Sequence, residues 1–166
     1  MGGRLRAYDE EDDRHADFLH ATCTAGEAME GIRHLCEWKG LPVIPVQFRA
    51  TKGVRSVYRP GDPNGKTERS RQERIEIDIT MMNWLTVVHE WSHYRHWHDW
   101  TARRDAHQQT SHEPYRLERW HGPVFVRMVD EAVEYLRPWL LQRGVKLGNM
   151  EVTTTPTPEP YDAVIF

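Results

Sequence analysis

The sequence His89-Glu90-Trp91-Ser92-His93 constrains the fold of this chain more than any other segment. Two histidines four residues apart lie on one face of an α-helix, so both imidazoles can reach one ion at about 2.0–2.1 Å. Glu90 is rotated off that face and need not be a ligand, but it can accept a proton from a metal-activated water. The apolar run over 84–88 indicates a buried helix. This pattern predicts one Zn²⁺ per chain, bound on a buried helix.

The structural alternative is a histidine-rich amphipathic helix whose histidines are ordinary core residues. Two same-face histidines beside a glutamate would then be buried polar groups without a use, and such burial costs free energy. Metal binding by His89 and His93 is therefore the favoured interpretation.

A catalytic zinc ion usually has three protein ligands and one open position, so a third ligand must come from elsewhere in the chain. His121 is favoured because a long loop precedes it and because Gly122 permits close approach of the backbone. His96 shares the helical face of the first two histidines, but the helical rise carries it too far along the axis. The other candidates, of which the first two are the next choices, are His112, Glu113, Glu131, His98, Asp99 and His107.

Local signals predict alternating helices and short strands. Thr24 and Glu27 form a capping box for a helix over 25–39, which Gly40 ends. Asn83 or Thr80 is expected to cap the long helix. Strands are expected over 43–48, 55–58 and 74–79, and further helices over 82–106 and 122–141.

This order predicts an α+β domain with a small, mostly antiparallel sheet. The domain is expected to span 15–144. A flexible acidic leader is expected over 1–14, and an extended or disordered tail over 145–166. A polar, aperiodic loop is expected over 107–120, where it could act as a lid.

Charge and hydropathy restrict the partners. The net charge of −3 does not favour nucleic acid as a general partner, although residues 49–74 carry eight basic and three acidic side chains. That basic segment is either a solvated face or a nucleic-acid contact. No apolar run approaches the ~20 residues of a membrane helix, and the acidic N-terminus does not resemble a signal peptide, so a cytoplasmic location is expected.

The two segments His89-Glu90-Trp91-Ser92-His93 and His121-Gly122-Pro123-Val124-Phe125 together resemble the SprT-like zinc metallopeptidases, the group that includes the Spartan proteases. The resemblance covers roughly residues 25–141, with about ten residues in its specific part. In length and layout the chain resembles small, uncharacterised bacterial and phage metallohydrolases.

The resemblance implies a zincin-like fold, with an N-terminal helix, a short sheet and two active-site helices. It implies that His89, His93 and His121 bind zinc, that Glu90 is the general base, and that the substrate is a protein or peptide. Two other functions remain open: a zinc-bound regulatory or binding module without proteolysis, and a hydrolase of a non-peptide bond.

Substrate contacts are expected by analogy with zincins, in which a strand beside the active-site helix forms the rim for an extended peptide. Ile75, Ile77 and Ile79 would occupy that strand here. The alternative is an amphipathic strand that only covers the helix. Tyr115 in the loop, like Tyr94 and Tyr135, could donate a hydrogen bond to an oxyanion.

Overall fold

The computed structural model describes residues 3–50, 56–111, 115 and 120–148. Within these ranges the chain is a mixed α+β structure, as predicted. A 3₁₀ turn over Ile79–Met81 joins the last strand to the long helix. The elements in chain order are α1 (Gly3–Arg14), α2 (Ala16–His20), α3 (Ala25–Lys39), β1 (Val46–Arg49), β2 (Val57–Arg59), α4 (Glu68–Arg71), β3 (Arg74–Asp78), α5 (Trp84–Thr110) and α6 (Pro123–Gln142).

The predicted helix boundaries depend on caps that the structure contains. Both halves of the Thr24–Glu27 capping box are present at the start of α3, and Gly40 ends that helix with a φ of 63°. The Asn83 side chain accepts a hydrogen bond of 2.8 Å from the Thr86 amide and so caps α5. However, α5 continues to Thr110, several residues into the segment that was expected to be a loop.

The N-terminal segment differs from the expected flexible leader, because residues 3–14 form helix α1. Glu11, His15 and Phe18 are buried at 4%, 7% and 0% exposure. They repeat at intervals of four and three residues, although α1 ends at Arg14 and Phe18 lies on α2. The acidic composition of the segment conceals this repeat of buried residues, which explains why the prediction was wrong. At the other end, 149–166 lie outside the described residues, so the predicted tail stays a prediction there.

The three strands form a mixed sheet in the order β1-β3-β2, and the prediction of a mostly antiparallel sheet was wrong. β1 pairs with β3 in parallel, with Val46 opposite Ile75, whereas β2 pairs with β3 antiparallel, with Tyr58 opposite Ile75. The chain passes through β2 and α4 before β3 enters between its two neighbours. A parallel pair needs such a crossover, and local patterning does not reveal it.

The central position of β3 corrects the proposed substrate contacts. Both edges of the strand are paired, so a peptide cannot add along it as expected. Ile75 and Ile77 are fully buried in the hydrophobic core and are unavailable to a substrate. Ile79 is 45% exposed but lies in the 3₁₀ turn, outside the strand.

Helix α5 lies at the centre of the fold, where it contacts α2, α3, α6, β2 and β3. Its N-terminal half is buried on several sides, including the apolar residues Trp84, Leu85, Val87 and Val88. Trp84 packs closely over Gly31 of α3, where a Cβ atom would lie 2.6 Å from the indole ring. Gly31 therefore permits α3 and α5 to approach each other. In the part of the chain that the structure describes, no helix has both the length and the apolar character needed to cross a bilayer.

Part of the basic segment is held by one internal carboxylate, that of Glu76 on β3. The guanidinium groups of Arg49 and Arg74 each lie 2.7 Å from it, and those of Arg69 and Arg59 lie at 3.5 and 3.8 Å. Burial raises the pKa of Glu76, but the hydrogen bonds from Arg49 and Arg74 outweigh burial and lower it. These arginines therefore have a structural role on the sheet.

We expect Glu76→Gln to destabilise the fold by about 3 kcal/mol at neutral pH, because removing one partner of a buried ion pair leaves the others uncompensated. The pKa of Glu76 is lowered in the folded protein, so its stabilisation is present above the ordinary value of 4.5 and is lost as the pH falls through the folded-state pKa. The difference in unfolding free energy, measured in urea, should therefore shrink in acid. Glu37→Gln, at an exposed position, is the control; equal stability of both variants at pH 7 would contradict the assignment.

Candidate metal centre

The structure brings His89, His93 and His121 together. The Nε2 atom of His89 lies 3.2 Å from that of His93 and 3.3 Å from that of His121. Two nitrogens bound tetrahedrally to one zinc ion at 2.0–2.1 Å would be about 3.3–3.4 Å apart. Among the described residues, this is the group of side chains that could hold a metal ion. The structure therefore places the third histidine beside the first two.

Secondary structure explains how the three imidazoles converge. His89 and His93 occupy successive turns of α5, and His121 stands immediately before the start of α6. Gly122 is the N-cap of α6, and Pro123 occupies its first turn, where a missing amide hydrogen costs nothing. His121 itself has a φ of 63°, in the left-handed region. Such backbone strain in a non-glycine residue occurs preferentially at functional sites.

Phe125, one turn into α6, packs against all three imidazoles. Its ring centroid lies 5.1 Å from that of His89, 4.4 Å from His93 and 4.9 Å from His121. Phe125 is fully buried, and Trp120 adds a further contact to His93 at 5.3 Å. These aromatic contacts restrict the orientation of the imidazoles before any ion binds.

His89 is also held from its other side. Its Nδ1 atom lies 2.7 Å from the Glu11 carboxylate, and both residues are buried. An ionised carboxylate accepts hydrogen bonds but cannot donate, so in the neutral imidazole Nδ1 carries the hydrogen and the lone pair is on Nε2. Burial lowers the pKa of His89, but the hydrogen bond and charge of Glu11, together with the charges of Glu90 and Asp12, raise it.

Glu90 lies beside the cluster without joining the ligand group. It is 6% exposed, and the backbone amide of Tyr58 on β2 donates to its carboxylate. Its Oε2 atom has no hydrogen-bond partner within the described part of the chain. Burial raises the pKa of Glu90 to about 7, Glu11 adds to this, and His89 and the Tyr58 amide oppose it.

These observations fit a divalent transition metal with an open coordination position. Three imidazole nitrogens are a donor set suited to zinc and its neighbours. An unpartnered carboxylate oxygen in a buried position is costly, unless a water or substrate group donates to it. His121 is partly exposed, so the cluster can be reached from its side.

The other candidate ligands are directed elsewhere. His98 lies 3.3 Å from Glu73, Asp99 pairs with Arg95, and Glu131 pairs with Arg95 at 2.8 Å. His96 is buried against Trp120 and Phe125, at 5.6 and 6.3 Å between ring centroids. His112 and Glu113 lie outside the described residues.

None of the three tyrosines is brought to the histidine cluster by the contacts among described residues. Tyr115 packs against His107, with ring centroids 5.2 Å apart, near the C-terminal end of α5. The Tyr94 hydroxyl donates to the Pro42 carbonyl at 2.7 Å, and Tyr135 stacks on Trp38. The role of Tyr115 as a substrate contact therefore stays a prediction.

Sequence reasoning missed two groups at this site, Glu11 and the Tyr58 amide, and it included Phe125 only as part of the segment that begins at His121. A signal for Glu11 exists, because Glu11, His15 and Phe18 repeat at helical spacing. A signal for Phe125 also exists in its spacing of four residues from His121. The position of the Tyr58 amide follows only from the packing of β2 on α5.

No protein family model, no curated protein and no solved structure matches this chain. Its function must therefore be argued from the geometry of the site.

We expect His121→Ala to weaken zinc binding by at least about a hundredfold. Removing a group that only hydrogen-bonds to a ligand typically costs about 10–100-fold in metal affinity, and removing a ligand should cost more. Affinity can be measured by competition with a chromogenic chelator. His107→Ala, which changes a histidine outside the cluster, should bind as the wild type does. Full affinity of His121→Ala would show that the third ligand is another residue.

Proposed function

We propose that this protein is a zinc-dependent hydrolase of the SprT-like, zincin type, and that it cleaves peptide bonds in a protein or peptide substrate. The observation that carries the proposal is the buried, unpartnered Oε2 atom of Glu90 beside three convergent histidine nitrogens. A metal with histidine ligands and a free carboxylate beside it is the arrangement that metal-assisted hydrolysis requires.

His89, His93 and His121 would hold the zinc ion, which supplies Lewis-acid activation of a water molecule and of the substrate carbonyl. Glu90 accepts a proton from the attacking water at Oε2 and returns it to the leaving nitrogen. Burial excludes bulk water from this carboxylate.

The outer strand β2 is the better candidate for the substrate rim, in place of β3. β2 pairs with β3 along one edge, and the Tyr58 amide on it donates to Glu90. In the part of the chain that the structure describes, no strand pairs with the other edge of β2, and the Tyr58 amide of β2 contacts the carboxylate of the proposed base. An extended peptide adding to this edge would present its carbonyl groups close to the metal centre.

A regulatory module with a structural zinc ion is less consistent with the site. Structural zinc ions are normally enclosed by four protein ligands. Among the described residues, three ligands are present, and the Glu90 carboxylate beside them has one buried oxygen, Oε2, without a hydrogen-bond partner. A hydrolase of a non-peptide bond would use the same groups, so the choice of substrate separates it from a peptidase.

We expect Glu90→Gln to bind zinc as the wild type does but to lower the rate of hydrolysis about 10²–10⁴-fold, because the amide cannot accept the proton of the attacking water. Zinc-loaded proteins can be incubated with unfolded casein and the new N-termini counted. Glu134→Gln changes a glutamate whose side chain is 74% exposed and serves as the matched control.

Equal cleavage by Glu90→Gln and the wild type would show that Glu90 is not the base. Zinc binding without cleavage of casein or of an unbiased peptide library by the wild type would contradict the peptidase proposal. Hydrolysis of a simple ester under the same conditions would then point to a non-peptide bond.

A further inference from the structure

A carboxylate from the N-terminal helix reaches the histidine cluster from outside the helix that carries it. Glu11 of α1 and His89 of α5 are 78 residues apart in sequence, and 2.7 Å separates the Glu11 Oε1 atom from the His89 Nδ1 atom. Each side chain is 6% exposed. We propose that Glu11 is a positioning residue of the metal centre, so that helix α1 contributes to metal affinity. This inference rests on the metal site of the proposed function but does not depend on the reaction.

The hydrogen bond determines which nitrogen of His89 is available. Because the carboxylate accepts the Nδ1 hydrogen, the lone pair of His89 lies on Nε2. Nε2 is the atom that lies 3.2 and 3.3 Å from the Nε2 atoms of His93 and His121. Glu11 therefore holds His89 in the tautomer and orientation that a metal requires. The negative charge of Glu11 also makes the imidazole more basic and so a stronger metal ligand.

Helix α1 is anchored, so Glu11 is not on a loose end of the chain. His15, one turn after Glu11, lies 2.8 Å from Asp130 of α6, and Arg14 lies 3.6 Å from the same residue. The next helix, α2, is held to α6 by an ion pair between Asp17 and Arg137. Through these contacts, the N-terminal helices connect the helix of His89 to the helix that follows His121.

The acidic run over 9–13 allows buried Glu11 to be compared with exposed acidic residues of the same helix. Asp9, Glu10 and Asp13 are exposed, whereas Glu11 is 4% exposed. A general effect of negative charge near the metal would be shared by these neighbours, since all lie on one short helix. A positioning role requires the hydrogen bond to His89 Nδ1, which Glu11 makes.

The test compares Glu11→Ala and Glu11→Gln with Glu10→Ala in the full chain. Zinc affinity is measured by chelator competition, and the fold of the metal-free proteins is checked by circular dichroism. Glu11→Ala should bind zinc about 10–100-fold more weakly than the wild type, as is usual for such a partner. Glu11→Gln keeps an acceptor oxygen without the charge and should be intermediate, and Glu10→Ala should not differ from the wild type.

A second measurement separates positioning from a general structural role. In the metal-free protein, at a pH where His89 is neutral, ¹⁵N spectra of His89 should show the Nδ1–H tautomer, and Glu11→Gln or Glu11→Ala should shift it towards a mixture. If Glu11→Ala does not fold, Glu11→Gln decides the matter. Wild-type zinc affinity and an unchanged tautomer in a folded Glu11 variant would overturn the inference. Failure of the wild type to bind zinc would overturn the metal site itself, a distinct result.

Discussion

Helix α5 carries two histidines and a glutamate into the interior of the protein. These polar side chains need partners there, and the neighbouring elements supply them. Polar groups in such a place lose their hydration, which costs roughly 2–7 kcal/mol for each group without a replacement partner. α1 supplies the Glu11 carboxylate to His89, and β2 supplies the Tyr58 amide to Glu90. α6 places the Phe125 ring against the imidazoles. Each of these three elements therefore either gives a polar group of the site a hydrogen-bond partner or fixes its orientation.

Two features of the site remain energetically unfavourable in the structure, and both occur where a reaction or a ligand would use them. Glu90 has a buried oxygen without a hydrogen-bond partner among the described residues, and His121 has a left-handed backbone conformation. A sequence selected for stability alone would remove both. Their presence at one place supports a metal-dependent function more strongly than the histidine spacing does.

The sheet has a supporting role. The buried isoleucines of β3 pack beneath α5, and the surrounding arginines converge on Glu76. This leaves the outer strand β2 next to the site, so the substrate surface that we propose differs from the one that alternation in the sequence suggested. The ion pairs between these arginines and Glu76 also explain why the basic segment need not indicate a nucleic-acid contact, because part of its positive charge is neutralised within the protein.

The features that the sequence determined by itself are those with local causes. The capping box of Thr24, the cap of Asn83 and the four-residue histidine spacing depend on neighbours in the chain, and each is present in the structure. Only the tertiary structure decided that His121 completes the cluster, that β3 is central and that α1 contributes Glu11. These depend on pairings between distant residues, 78 apart for Glu11 and His89. Local composition carries no record of such pairings, because their energy arises only when the whole core has assembled.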